Sequence, residues 1–155
     1  MIEIERKFLV SSEDFKTEAI RKTPIKQGFL NTDKARTVRV RLKGDIGIIT
    51  VKGASSDDGV SRFEWEKEIS KTDAEALLKL CEIGIIDKIR YDIEVGKHVF
   101  EVDEFFGDNA GLIVAEIELS STTEVFKKPN WLGEEVTGDA KYYNSQLSKK
   151  PFTTW

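Results

Sequence analysis

The chain has few of the residues that build disulfide frameworks or transition-metal sites. Its 155 residues include one cysteine, Cys81, and one histidine, His98. A single cysteine excludes an internal disulfide and fits a reducing compartment, so we expect a cytoplasmic protein. One cysteine and one histidine also exclude a structural zinc site of the usual kind. Any bound metal would therefore have oxygen ligands, which favours Mg²⁺, Mn²⁺ or Ca²⁺.

Long apolar runs and an excess of positive charge are also lacking. No apolar run approaches 18 residues, and the chain begins with a strand-like segment rather than a cationic signal and apolar core. We therefore expect no membrane association. The net charge of −4 argues against a surface that binds nucleic acid as a whole, although 24 Lys and Arg could still form a local basic pocket. The length and the 39% apolar content predict one globular domain over residues 1–155.

Charge is abundant, at 34% of residues, and it follows the predicted strands. Strand side chains alternate between faces, so the first strand places Glu3, Glu5 and Lys7 on one face. At least five later strands repeat the pattern, with the charged faces Arg39, Arg41, Lys43; Glu64, Glu66, Glu68; Lys88, Arg90, Asp92, Glu94; Glu101, Asp103; and Glu116, Glu118. Charge sign is partly segregated by strand.

The pattern predicts eight strands, mostly joined as hairpins, with a few inserted helices. Helices are expected from Ser11 to about Lys22, from Thr72 or Asp73 to Gly84, over 123–128 and over 139–149, from their caps, apolar spacing and flanking Pro or Gly. One antiparallel α+β domain is the simplest architecture.

Two orientations of the strands are open. The charged faces could point outward around an apolar barrel interior, as in an ordinary small barrel. Alternatively, they could line a tunnel whose apolar back is covered by helices. Stacked like charges cost energy unless an opposite charge lies between them, so basic pairs would be neutralised by a polyanion and paired carboxylates by divalent cations. A tunnel with both predicts a metal–triphosphate complex as ligand.

Short motifs support the tunnel, because they occur in a fixed order along essentially the whole chain. They are Glu3-Ile4-Glu5-Arg6-Lys7, Arg39-Val40-Arg41, Lys52 within Thr-Val-Lys-Gly, Glu64 with Glu66, Lys88 with Arg90, Asp103, Glu116-Ile117-Glu118 and the closing Asp139-Ala140-Lys141-Tyr142-Tyr143-Asn144. Together they resemble the CYTH superfamily, the triphosphate tunnel metalloenzymes, and in particular its small bacterial members.

The resemblance implies an eight-stranded antiparallel β tunnel with a charged interior, helices packed outside and a C-terminal plug helix. It implies hydrolysis of a triphosphate with Mg²⁺ or Mn²⁺, most simply inorganic tripolyphosphate. The substrate-binding residues would be Lys7, Arg39, Arg41, Lys52, Lys88, Arg90 and Lys141; the metal ligands Glu3, Glu5, Glu66, Asp103, Glu116 and Glu118; and the catalytic residues Glu5, Lys7, Glu64 and Lys88.

Several alternatives remain open at this point. Family members also hydrolyse thiamine triphosphate or cyclise ATP as adenylyl cyclases, and a polyphosphate- or nucleotide-binding module would not turn over at all. Two positions depart from relatives, because Phe29 and Lys141 stand where Tyr and Arg are frequent. A homodimer is also open.

The remaining conspicuous residues have ordinary structural explanations. His98 is expected to be a solvated residue beside a turn, and Cys81 a packing residue in a helical stripe. Trp65 and Phe100 lie on apolar strand faces and are expected in the core.

Overall fold

The computed structural model describes residues 2–155. Its nine strands are β1 Ile2–Val10, β2 Arg21–Asn31, β3 Arg36–Lys43, β4 Ile46–Ser55, β5 Ser61–Ile69, β6 Ile86–Val95, β7 His98–Phe105, β8 Ile113–Glu118 and β9 Leu132–Glu135. The α-helices are α1 Phe15–Glu18, α2 Lys71–Leu78 and α3 Asn144–Leu147, and short 3₁₀ turns cover Gly107–Asn109, Ala140–Tyr142 and Phe152–Thr154. Within the described range, no helix is both long and apolar enough to cross a lipid bilayer.

Eight antiparallel strands close into a barrel, as predicted. Their order is β5-β4-β3-β2-β6-β7-β8-β1, and β1 then pairs with β5 through Ile2–Ile4 and Ser61–Phe63. β1 extends past Ser61, where β5 begins, and there it pairs with β9 through Phe8 and Val10. β9 was not predicted. The first strand therefore pairs with three others, β5, β8 and β9.

The charged strand faces point into the barrel. Lys7, Arg41, Lys88 and Arg90 are each buried, with 1–7% of their surface exposed. The apolar faces point outward and form a core between the barrel wall and the elements outside it. The tunnel orientation is therefore the one the chain adopts.

The outer core is built as much by loops as by helices. Trp131, in the segment before β9, is 1% exposed and packs edge-on against Phe15 of α1 and Phe100 of β7. Helix α2 packs over β3 and β4, where Ala74 is fully buried. A Cβ at Gly47 would lie 2.7 Å from the Ala74 Cβ, so this approach requires glycine.

The first predicted helix is much shorter than expected. Only Phe15–Glu18 is helical, because the Ile20 N–H donates to the Asp92 carbonyl and draws the chain into β2. Pro24 therefore lies within a strand. Its carbonyl accepts from Gly44, and the β2–β3 pairs begin only at the next residue, Ile25, so the proline nitrogen faces no ladder acceptor.

Other local predictions also need correction. Helix α2 begins two or three residues earlier than predicted, since the Ser70 hydroxyl accepts from the Asp73 N–H as its N-cap, and it ends at Leu78 rather than near Gly84. Segment 123–128 is not helical. There Glu124 instead accepts from the Ser120 N–H and pairs with His98. The His98 side chain is only 10% exposed, so the prediction that His98 is solvated is wrong.

The outer barrel wall is covered unevenly. Phe100 is fully buried as expected, but Trp65 is 40% exposed. Its neighbours Ile2 and Phe63, which oppose each other across β1 and β5, are also exposed. None of the three α-helices packs over this part of the wall.

Candidate functional site

A cavity of about 480 Å³ runs into the barrel, and all eight barrel strands contribute side chains to its wall. Most of the predicted site residues meet there. Those that line the cavity are Glu3, Glu5, Lys7, Arg39, Arg41, Lys52, Glu64, Glu66, Lys88, Arg90, Glu116 and Glu118. Asp103 and Lys141 are not among the lining residues of the described chain.

One part of the wall is a buried basic cradle, formed by Lys7, Arg41, Lys88 and Arg90. Desolvation of four cations in one cavity is costly unless anions lie between them. Burial, together with the neighbouring Arg39, lowers the pKa of the Arg41 guanidinium well below its usual range. A bound polyanion would relieve this repulsion.

Asp103 lies behind the cradle and holds two of its members. Its carboxylate accepts from Arg90 through Nε at 2.8 Å and Nη2 at 2.9 Å, and lies 2.7 Å from the Lys88 ammonium. Burial alone would raise the Asp103 pKa, but Arg90 and Lys88 bring it below its usual range. Both carboxylate oxygens are thus engaged by cations, and the predicted metal-ligand role of Asp103 stays a prediction.

A hydrogen-bonded chain continues from Lys88 to the other side of the cradle. The Asn144 Oδ1 accepts from the Lys88 ammonium at 3.0 Å and from the Gln27 Nε2 at 3.0 Å. The Gln27 Oε1 in turn accepts from the Arg41 Nε at 2.9 Å. Gln27 is fully buried, so it serves only these two partners. β2, β3, β6, β7 and the C-terminal segment are therefore linked through the cradle.

The carboxylates occupy the other part of the cavity wall and are crowded together. Burial, followed by repulsion from Glu116, raises the pKa of Glu5 to about 8. Burial and a hydrogen bond with Glu3 likewise raise the pKa of Glu64 to about 7. These acids share too few cations, because Lys52 pairs with Glu3 at 2.8 Å and Lys7 with Glu116 at 3.6 Å.

The carboxylate set fits a hard divalent cation. Its donors are all oxygens, and the raised pKa values of Glu5 and Glu64 report repulsion and desolvation that a divalent charge would offset. No three His, Cys, Asp or Glu side chains of residues 2–155 already converge in the manner of a metal site. A metal bound to this arrangement would therefore be held by one or two carboxylates, with phosphate oxygens or water as its other ligands.

Arg39 has a donor that no protein group satisfies. Its Nη2 donates to Thr50 at 3.1 Å, whose hydroxyl donates to Glu66, but its Nε is buried without a hydrogen-bond partner among residues 2–155. A buried unpaired N–H costs free energy, so an anionic ligand at this position would be stabilised.

The sequence missed several lining residues. Glu101 and Arg62 line the cavity, and each lies two positions before a predicted site residue on the same strand face, so strand alternation could have identified both. Arg62 is tethered to the Gly53 carbonyl by two donors. Tyr143 and Asn144 come from an irregular segment, where no periodicity marks which side chains face inward.

The C-terminal segment does close one end of the cavity, through Tyr143, Asn144 and Ser145. The Tyr143 ring centroid lies 5.0 Å from the Lys7 ammonium. Helix α3 is only four residues long, so the plug is a short helical turn and not an extended helix. Lys141 points elsewhere, with its ammonium 4.8 Å from the Trp155 ring centroid, and the structure does not bring it to the cavity.

Several known proteins resemble this chain in both sequence and fold. Residues 1–150 match the CYTH domain. An inorganic triphosphatase of Acetivibrio thermocellus is 48% identical over 151 residues, covering 97% of this chain and 95% of that protein. An inorganic triphosphatase of Nitrosomonas europaea is 36% identical over 152 residues, covering 96% and 97%. A crystal structure of an inorganic triphosphatase, 33% identical, superposes with a TM-score of 0.67 and covers 94% and 97% of the two chains.

Proposed function

The chain belongs to the CYTH family, and from that premise we propose that it hydrolyses inorganic triphosphate to pyrophosphate and phosphate with a divalent metal. The observation that carries the proposal is the division of one cavity between a buried basic cradle and a crowded set of carboxylates. Such a cavity binds a polyanion on one side and a hard cation on the other. The two inorganic triphosphatases, 48% and 36% identical over nearly the whole chain, support the same activity.

The basic residues position the substrate and stabilise its charge. Lys7, Lys88 and Arg90 would hold phosphate oxygens in the cradle, and Arg39 would donate its unpaired Nε to another. Phosphoryl transfer depends mainly on position and electrostatic stabilisation, and the cradle is already ordered in part, because Asp103 holds Arg90, Asn144 holds Lys88 and Gln27 holds Arg41. Little reorganisation is then needed as the terminal phosphoryl group leaves.

Of the six metal ligands that the family resemblance implies, Glu3, Glu5, Glu66, Glu116 and Glu118 line the cavity and would hold Mg²⁺ or Mn²⁺. When bound, such a metal lowers the pKa of coordinated water and screens the phosphate charge. Glu5 and Glu64, whose pKa values lie near 8 and 7, could hold or release a proton close to neutral pH. Lys52, ion-paired with Glu3, would fix that carboxylate and contact the substrate.

An inorganic substrate fits the wall better than an organic triphosphate. Phe29 and Tyr143 are the aromatic residues among the described lining, but Phe29 is 4% exposed and Tyr143 lies against Lys7. Neither offers a free face for a nucleobase or thiazolium ring. Most other lining side chains are ionised or polar, so affinity would come from the phosphates.

The test is release of phosphate from tripolyphosphate, thiamine triphosphate, ATP and pyrophosphate, each with Mg²⁺, Mn²⁺ or EDTA. Metal-dependent release that is fastest with tripolyphosphate supports the proposal. Cyclic AMP from ATP would support a cyclase instead, and binding without any phosphate release would indicate a binding module. A cytoplasmic location and a homodimer stay predictions.

A further inference from the structure

Asn144 is held in one orientation by two donors. Its Oδ1 accepts from the Gln27 Nε2 and from the Lys88 ammonium, both at 3.0 Å. Gln27 is itself fixed, because its carboxamide oxygen accepts from Arg41. If the Asn144 carboxamide were turned over, its NH₂ group would face two other donors and both bonds would be lost. The oxygen of Asn144 must therefore point toward Lys88 and Gln27.

The other end of the same carboxamide is free to bind a ligand. Asn144 lines the cavity, and its Nδ2 donates to no protein group within residues 2–155. The Lys88 ammonium beside it is bonded to Asp103 and Asn144, which leaves one of its three N–H groups unused by these partners. Two donors, one charged and one neutral, thus lie together where the C-terminal segment closes the cavity.

We propose that Asn144 is a further substrate-binding residue, whose amide NH₂ donates to an oxygen of the phosphate group that lies against Lys88. This proposal rests on the proposed triphosphatase function. A carboxamide suits this role because its oxygen accepts from Lys88 while its NH₂ group donates to phosphate. A carboxylate could not donate, and an ammonium could not accept from Lys88 and would add a fifth cation to the cradle.

A purely structural role for Asn144 is the competing explanation. In that case, Asn144 would only tie the C-terminal segment to Lys88 and Gln27. The substitution Asn144→Asp separates the two roles, because a carboxylate of nearly the same shape still accepts from both donors. It cannot donate to phosphate, and its charge repels the ligand. The added charge weakens ligand binding in either case, so Ser145→Asp, which adds the same charge at a neighbouring lining residue, gives the baseline. A structural role predicts equal losses of affinity in Asn144→Asp and Ser145→Asp, whereas a substrate-binding role predicts a clearly larger loss in Asn144→Asp.

The experiment compares wild type, Asn144→Asp, Asn144→Ala and the control Ser145→Asp, which adds the same charge to the neighbouring residue of the cavity lining. Binding of inorganic tripolyphosphate is measured by calorimetry in EDTA, and KM and kcat are measured with Mg²⁺. We expect affinity to fall about 100-fold in Asn144→Asp and about tenfold in Asn144→Ala, consistent with loss of a hydrogen bond to a charged group. The control measures the loss of affinity that the added charge alone causes, which we expect to be clearly smaller than the loss in Asn144→Asp.

The outcomes distinguish this proposal from the proposed function. Binding by Asn144→Asp within about threefold of Ser145→Asp overturns the role of Asn144. Should thermal melts show that Asn144→Asp is unfolded, Asn144→Ala decides in its place, and a loss under about threefold overturns the role. A wild-type protein that binds tripolyphosphate without releasing phosphate contradicts the proposed function, while the binding comparison still tests Asn144. A wild-type protein that does not bind it contradicts both.

Discussion

The Lys88 ammonium and the Asp103 carboxylate lie 2.7 Å apart, and both side chains are almost fully buried. Burial lowers the pKa of Lys88 to about 7, and the pairing with Asp103 opposes this shift. Asp103 also binds Arg90 through two further donors. It is thus the anion that allows two cations of the cradle to be buried side by side.

Asp103→Asn should therefore be strongly destabilising. It leaves two buried cations without their shared anion, and the loss of one partner of a buried ion pair typically costs about 3–5 kcal/mol. Urea unfolding at neutral pH measures this change in the free energy of unfolding.

The same variant separates the two roles considered for Asp103. If Asp103 positions Lys88 and Arg90, Mn²⁺ affinity of the folded variant should stay near that of wild type. Glu116→Gln, the matched comparison on β8, should weaken Mn²⁺ binding at least tenfold, roughly the effect of disturbing a metal ligand. An equal loss of Mn²⁺ affinity in both variants would show that Asp103 is a metal ligand.

Glu5→Gln should abolish turnover, with a loss of about 100-fold or more in kcat, because it removes a carboxylate from the proposed metal ligands.

Burial raises the pKa of Glu5 from 4.5 to about 8. A carboxyl group whose pKa is higher in the folded state binds protons more tightly there, so its contribution to stability declines as pH rises from about 4.5 to about 8.

The metal-free Glu5→Gln protein should therefore lose less stability than wild type across this pH range. Urea unfolding in EDTA at a series of pH values measures the difference. Glu75→Gln, on the exposed side of α2, is a suitable control for the same chemical change. If Glu5→Gln still released phosphate, the proposed role of Glu5 as a metal ligand would be wrong.

Lys141→Ala should leave KM for tripolyphosphate within about twofold of wild type, because exposed charged contacts contribute little. Its ammonium lies over Tyr142 and Trp155, outside the cavity lining. Lys52→Ala is the comparison. Because Lys52 does line the cavity, this substitution should raise KM clearly. If Lys141→Ala instead raised KM about tenfold, the effect expected from loss of a hydrogen bond to a charged group, Lys141 would have the substrate-binding role that the family resemblance implies.

The pairing of His98 with Glu124 should make the segment after β8 sensitive to acid. The hydrogen bond from His98 lowers the pKa of Glu124 to about 2, from 4.5. A carboxyl group with a lowered folded pKa stabilises the fold above its unfolded pKa, and this contribution is lost as pH falls from about 4.5 to 2.

Glu124→Gln should remove that pH-dependent part of the stability. Unfolding of wild type and variant should therefore differ most near neutral pH and converge at pH 2. Tryptophan fluorescence follows the unfolding, and the buried Trp131, which comes after this segment, contributes to it together with Trp65 and Trp155. A constant difference at every pH would contradict the assigned role of the pair.

Alternation predicted the strands and which charged residues share a face, and the family resemblance selected the orientation that turns these faces into the barrel. One strand register fixes the face of every second residue, so Glu3, Glu5 and Lys7 could be assigned together. Alternation placed Glu101 and Asp103 on one face without distinguishing their depth in the barrel, and the family resemblance then assigned a metal-ligand role to Asp103 and none to Glu101. The structure places Glu101 at the cavity and Asp103 behind its cations.

The irregular segments were the part that could not be predicted. Trp131, Tyr143 and Asn144 take their positions from long-range contacts with the barrel rather than from local periodicity. The strong local cap at Ser11-Ser12 was likewise overridden, because Ile20 pairs with Asp92 of a distant strand.

The triple pairing of β1 also bears on how the chain folds during synthesis. Glu5 lies opposite Glu118, more than 100 positions later, and Phe8 opposite Glu135. The first strand is therefore made long before its partners β8 and β9, and its apolar side stays exposed until they have been made. Such distant pairings slow folding, so we expect closure of the barrel to be a late step in folding.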